Sequence, residues 1–203
     1  MDRIIEECFN LSSDQKEGCL FVVETENIKT KYYKDYNTDI YKKNGKKLSV
    51  LNKKDKTTIK LLAGLDGAMI INKKGELVHY GATLINSDKF VGHGKRHAFA
   101  LGTSKKINGV VSILASEEDK HIRAFKNGAC IFDIDSNSKL TSSKKQIIAD
   151  VLATPLSKTL IASGIATSVL TLNPLPAIIT ISGSYVIVSE GFDRIKKIFN
   201  KKS

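Results

Sequence analysis

Hydrophobic residues mark the structure of this chain in two different periods. At the N-terminus Ile4, Ile5, Cys8, Phe9 and Leu11 recur at helical spacing, which predicts an amphipathic helix over 2–11. Residues 19–24 (Cys-Leu-Phe-Val-Val-Glu) form a short apolar run that reads as a buried strand. Residues 26–57 are polar and lysine-rich with Asn44-Gly45 inside them, the pattern of a loop. A short helix is expected over 58–65. After Asp66 the pattern becomes strand-like: 67–71 is apolar, Asn72-Lys73-Lys74-Gly75 is a turn, and 76–81 can return as a second strand. Residues 94–105 favour a helix that buries Phe99, Ala100 and Leu101. Val110 to Ala115 reads as a central strand, and 121–125, Asn127-Gly128 and 129–132 carry a hairpin signature. Strands mixed with flanking helices predict an α+β (α/β layered) domain with a mixed central sheet.

The last third has another character. No charged residue occurs between Lys158 and Glu190, and Asn173-Pro174-Leu175-Pro176 divides the stretch. A spanning helix needs about 20 apolar residues, more than either half, 159–172 or 177–189, provides. Two readings stay open. In one, a shallow apolar hairpin and the basic tail Arg194, Lys196, Lys197, Lys201 and Lys202 contact an anionic membrane through 159–202. In the other, a helical hairpin packs on the domain or on a second subunit. The expected organisation is a folded α+β domain over 1–150 and a C-terminal apolar helical appendage over 151–203.

Composition narrows the partners. The 203 residues are 41% hydrophobic and 26% charged, as in a folded domain rather than a disordered tail. Thirty-two Lys and Arg against 21 Asp and Glu give a net charge of +11, which suits polyanions: nucleotide phosphates, nucleic acid or anionic lipid. Much of the excess (Lys42, Lys43, Lys46, Lys47, Lys53, Lys54, Lys56) reads as a solvated loop. Bulk charge as a nucleic-acid footprint explains the +11 but not the order of the motifs below, so no specific nucleic-acid partner is expected. Cys8, Cys19 and Cys130 have neither disulfide nor zinc spacing, and the N-terminus has no signal-peptide pattern, so the expected location is cytoplasmic, with membrane association under the first reading of the tail.

Three segments carry chemistry. Asp66, beside Gly67 at the mouth of an apolar strand, is badly placed for packing and well placed for Mg²⁺ or Mn²⁺. Gly94-Lys95-Arg96-His97 at a helix start offers unpaired N–H groups, the helix dipole and a guanidinium to phosphate, and His97 can donate to a phosphate or a leaving group. Ser116-Glu117-Glu118 after a strand offers a second carboxylate for metal or ribose. Singly, these are a turn, a solvated helix start and a solvated loop. Together they run acidic, basic, acidic, each at an element end.

In this order the segments resemble the diadenylate cyclase family. Its Asp-Gly-Ala motif is matched by Asp66-Gly67-Ala68, and its Gly-Thr-Arg-His-Arg motif by Gly94-Lys95-Arg96-His97-Ala98. Its Ser-Glu-Glu is matched by Ser116-Glu117-Glu118, and its Asn-Gly hairpin by Asn127-Gly128. The resemblance covers roughly 1–135. It implies a nucleotidyltransferase that joins two ATP into cyclic di-AMP, with a divalent cation and two subunits face to face. It implies Asp66 as metal ligand and activator of a 3′-hydroxyl, and Glu118 as second metal ligand. Gly67, Ala68, Thr83 and Leu84 would line the nucleotide, with Ser116 and Glu117 on the ATP. Gly94, Lys95, Arg96 and His97 would hold phosphates. Two positions depart from the motif: Lys95 replaces a threonine, and Ala98 replaces the second arginine. A nucleotide-binding signalling module of weak activity, acting through the apolar C-terminal segment, is the alternative these departures leave.

Overall fold

A computed structural model describes residues 1–15, 17–34 and 47–137, together with 149, 152 and 153. Three helices, α1 (Asp2–Ser13), α2 (Lys56–Ala63) and α3 (Lys95–Lys106), cover a seven-stranded sheet. Its strands are β1 (Cys19–Glu24), β2 (Tyr33–Lys34), β3 (Ala68–Ile71), β4 (Leu77–Leu84), β5 (Val110–Ala115), β6 (His121–Lys126) and β7 (Ala129–Asp135). The spatial order is β2-β4-β3-β1-β5-β6-β7. Only β1 and β3 pair in parallel; every other neighbour is antiparallel. This is the mixed α+β sheet that the hydrophobic pattern predicts.

The alternation of side chains along β1 divides the core in two. Cys19, Phe21 and Val23 face the cluster built with Ile4, Ile5, Cys8 and Phe9 of α1 and Ile59 and Leu62 of α2. Leu20 and Val22 face the other cluster, where Ala100 and Leu101 of α3 meet Ala68, Ala82, Leu84 and Phe125. Burial on both faces explains why β1 and β5 read as unbroken apolar runs. The first cluster also takes in Ala149 and Leu152, and Lys126 Nζ donates to the Leu152 carbonyl.

Two tight features matter for the site. Gly67 (φ +101°) and Gly81 (φ +62°) bring β3 and β4 so close that a Cβ on Gly67 would lie 2.4 Å from the Gly81 carbonyl carbon. The β3–β4 register shifts just beyond, between Ala68 and Ile71. At the other end, Asn127 (φ 51°) and Gly128 (φ 81°) both adopt left-handed backbone, the turn that Asn-Gly predicts between β6 and β7.

The described parts of the polar segment 26–57, residues 26–34 and 47–57, are more structured than their composition predicts. Tyr32 is fully buried with its hydroxyl donating to Glu24 Oε1 at 2.9 Å, β2 pairs with β4, and Leu48 and Val50 enter the core. A two-residue edge strand is too short to leave a periodic signal. The apolar stretch 159–189 and the basic tail lie outside the described residues. Among the described residues no helix is long and apolar enough to cross a membrane.

Candidate active site

Three element ends meet at one end of the central strands β3, β1 and β5. The 64–67 connection between α2 and β3 carries Asp66, the start of α3 carries Lys95 and Arg96, and the end of β5 runs into Ser116-Glu117-Glu118. Asp66 and Arg96, 30 residues apart, are in contact: Arg96 Nη2 donates to Asp66 Oδ1 at 3.1 Å. The other arm of the guanidinium, Nη1, donates to the Gly18 carbonyl at 2.8 Å. A Cβ on Gly18 would lie 2.7 Å from Nη1, so a larger residue there would displace the guanidinium. The Asp66 side chain is 98% exposed and that of Arg96 is 37% exposed. The hydrogen bond from Arg96, with a second from the Gly67 N–H, holds the Asp66 carboxyl below its usual range, so it is an anion at neutral pH.

The start of α3 runs against the usual charge rule. Gly94 caps the helix without a side-chain bond, and the first turn contains Lys95 and Arg96 but no acid. Cations at the positive end of a helix dipole are unfavourable unless an anion joins them. The carboxylates of Asp66 and Glu118 stand beside this turn, and its N–H groups and two cations together suit an anionic ligand.

Two cavities flank the Asp66–Arg96 pair. One, of about 240 Å³, is lined by Leu20, Ala68, Ala82, Leu84 and Phe99, with Gly67, Gly81 and Thr83 beside them. The other, of about 420 Å³, is lined by Gly94, Lys95, Arg96, His97, Leu114, Ala115, Ser116, Glu117 and Glu118. Asp66, Lys95 and Arg96 border both, so the two spaces adjoin. To the shared Asp66, Lys95 and Arg96 the smaller cavity adds the apolar Leu20, Leu84 and Phe99, and the larger adds Gly94, Ser116, Glu117 and Glu118, a division that suits the two halves of a nucleotide, a base and its phosphates. Gly94 leaves room for Glu118, whose Oε1 lies 3.2 Å from the place of a Cβ there. Every residue that the sequence singles out therefore borders one cavity or both.

Behind the larger cavity lies a cluster that, apart from His97, the sequence motifs do not include. Arg123 of β6 is buried, its side chain 5% exposed. Its Nε donates to Asp133 Oδ2 at 2.9 Å, its Nη2 to Asp119 Oδ2 at 2.6 Å, and its Nη1 lies 2.9 Å from His97 Nε2. His121 Nδ1 is 2.5 Å from Asp133 Oδ1. A guanidinium only donates, so His97 accepts at Nε2 and carries its proton on Nδ1. Burial, then the charge of Arg123 and that of His93, push the His97 pKa down to about 4. With Nε2 taken as an acceptor, Nδ1–H is the group left to serve as the donor that sequence reasoning expects of His97, and the Phe90 ring stacks on the imidazole at 5.7 Å. Burial pulls the Asp119 carboxyl upward, but bonds from Arg123 and Ser116 outweigh it and hold the group well below its usual range.

His93, His97 and Asp119 place ligand-type atoms within 4.8 Å of one another, a group that could hold a metal ion. Asp119 Oδ2 and His97 Nε2 already take bonds from Arg123, which supplies the positive charge of this cluster. The oxygen donors bordering the larger cavity, Asp66, Glu117 and Glu118, suit a hard divalent cation better.

Comparison with known proteins gives the family. The family model described as the DisA bacterial checkpoint controller nucleotide-binding (DAC) domain matches residues 6–130. This chain belongs to the DAC family. A protein named diadenylate cyclase from Methanocaldococcus jannaschii is 33% identical over 99 residues, which is 47% of this chain and 32% of that protein. The chain thus spans about a third of the length of this curated relative. In fold, the DAC domain is similar to a hypothetical membrane spanning protein from Bacillus cereus, with a TM-score of 0.51 and 21% identity, over 65% of this chain and 62% of the other. A double mutant of DacA from Staphylococcus aureus aligns with a TM-score of 0.48 and 18% identity, over 74% and 93%. Both cavities of the DAC domain are lined from within the matched segment, by residues 20 to 118.

Proposed function

We propose that this chain is a diadenylate cyclase that condenses two ATP molecules into cyclic di-AMP and releases two pyrophosphates. One observation carries the reading: a cavity walled by Leu20, Leu84 and Phe99 and a cavity walled by Gly94, Ser116, Glu117 and Glu118 adjoin across Asp66, Lys95 and Arg96. Membership of a nucleotide-binding family and the name of the archaeal relative support it.

In this reading the adenine enters between Leu20, Leu84 and Phe99, and the triphosphate lies along the first turn of α3. Lys95 and Arg96 neutralise its charge and orient the α-phosphorus. Asp66, ionised and exposed, stands where a 3′-hydroxyl can lose its proton. Two copies meet face to face, and each 3′-oxygen attacks the α-phosphorus of the other ATP. A 3′–5′ phosphodiester bond forms, the bond to the β-phosphate oxygen breaks, and pyrophosphate leaves with the electron pair. Asp66 and Glu118 would hold Mg²⁺ or Mn²⁺, which supplies charge neutralisation of the phosphates and acidifies the hydroxyl.

The test is incubation of the purified protein with ATP and either cation, followed by chromatography. The expected result is cyclic di-AMP and pyrophosphate in a one-to-two ratio. ATP bound but unchanged would overturn the reading. The uncharged stretch and basic tail support a membrane-contacting C-terminus. Sedimentation with anionic liposomes should be lost in a chain ending after Lys158, which retains the core residues Ala149 and Leu152. Equal sedimentation of both chains would refute that contact.

A further inference from the structure

We infer that Arg123 is a positioning residue of the phosphate cavity: a single buried guanidinium ties its cationic wall to its acidic wall. The inference rests on the proposed function and extends it to a residue outside the family motifs. The cationic wall is the first turn of α3, and Arg123 reaches it through His97, one residue beyond Arg96. The acidic wall is the 116–119 loop, and Arg123 reaches it through Asp119, which also takes a hydrogen bond from Ser116. The third direction is anchored in the sheet by Asp133, the partner of Arg123 across the β6–β7 ladder, and His121 braces Asp133 from its other oxygen.

Geometry explains why the residue is arginine. Its three partners lie in three directions, and a planar guanidinium can satisfy all of them at once. A lysine offers one point charge and cannot. The buried cation also gives Asp119 and Asp133 their countercharge, so it is not free to swing toward a ligand. Arg123 does not border either cavity. Its effect on a bound triphosphate therefore passes through His97 and Asp119.

Arg123→Lys in the full chain tests this, since it keeps the charge and loses the fork. The expected results are a drop in kcat/KM for cyclic di-AMP of tenfold or more, ATP affinity weakened threefold or more, and adenosine affinity within twofold of wild type. Nitrogen-15 NMR of the imidazoles should show His97 leaving its Nδ1–H tautomer. A folded Arg123→Lys protein with wild-type kcat/KM, ATP affinity and His97 tautomer would overturn the inference. If that variant does not fold, Asp133→Asn decides: a threefold or greater fall in kcat/KM with a changed His97 tautomer supports the tie, and wild-type values refute it. If the wild-type protein makes no cyclic di-AMP, the proposed function fails alone. The ratio of ATP to adenosine affinity and the His97 tautomer in Arg123→Lys still decide the inference.

Discussion

Two arginines lie one residue and one hydrogen bond apart through His97, and they do opposite work. Arg96 is partly exposed, holds an almost fully exposed carboxylate, and is steadied by one backbone carbonyl. Arg123 is buried and spends its donors on Asp119, Asp133 and His97. An exposed ion pair contributes little to stability, so Arg96 and Asp66 can exchange each other for a phosphate and a cation at small cost. A buried guanidinium cannot leave its carboxylates without stranding two charges. Under the proposed function, the rim of the cleft is the part that meets ligand, and the layer under it keeps the shape of the rim.

The contrast breaks most sharply at Asp66. Asp66→Asn should lower synthesis by at least about a hundredfold, as loss of a group that acts on developing charge does. Its stability should change by less than about 1 kcal/mol, because the lost pair is exposed. Product chromatography beside urea unfolding checks both, and a large loss of stability would place Asp66 in the scaffold instead. Arg123→Ala should do the reverse in kind, costing about 3 kcal/mol of folding stability by leaving Asp119 and Asp133 without a countercharge. The same urea titration reads it.

Gly18→Ala sharpens the comparison from the other side. The added methyl collides with Arg96 Nη1 while leaving Arg123 untouched. Displacement of Arg96 by about 1 Å should lower kcat/KM by between about tenfold and a hundredfold. Unchanged kinetics would show that the anchor on the Gly18 carbonyl is dispensable.

The smallest effect concerns acid. His97 has a folded-state pKa of about 4 against an ordinary value of 6.5. Between these values the unfolded chain binds a proton that the folded chain does not, so stability is lost as pH falls from 6.5 to 4. The loss should reach about 2–3 kcal/mol near pH 4 and be absent at pH 7 and above. Asp119, held low, contributes in the acid range below this window, and Glu24, whose pKa is raised by burial, works in the opposite sense near its lower end. The difference between wild type and His97→Gln isolates the histidine. Parallel stability curves for the two proteins from pH 7 to 4 would refute the assignment.

The rim was legible from the order of its segments. An aspartate before an apolar strand, cations at a helix start and paired glutamates after a strand are each ordinary alone, but together they run acidic, basic, acidic at element ends, and each borders the cleft. The first helix and two central strands were legible from apolar spacing at Ile4, Phe9, Phe21 and Ile113. The layer under the rim was not. Counting back from the Asn127-Gly128 turn places Arg123 opposite Phe132, an unremarkable pair. An extra residue at Ile131, between the pairs Ala124–Phe132 and Phe125–Cys130, shifts the ladder so that Arg123 meets Asp133. That bulge, and the approach of α3 that brings His97 to the same guanidinium, are tertiary facts without a local signal. Gly18 was silent for the same reason, since its neighbour Arg96 is 78 residues away.

The most direct trial follows the fate of ATP in wild type and Asp66→Asn, side by side with Mn²⁺, by chromatography and by equilibrium binding. Cyclic di-AMP from the wild type, none from the variant, and ATP bound by both is the predicted result. Turnover by Asp66→Asn, or a wild type that binds no ATP, would contradict a cleft built on this carboxylate and its guanidinium partner.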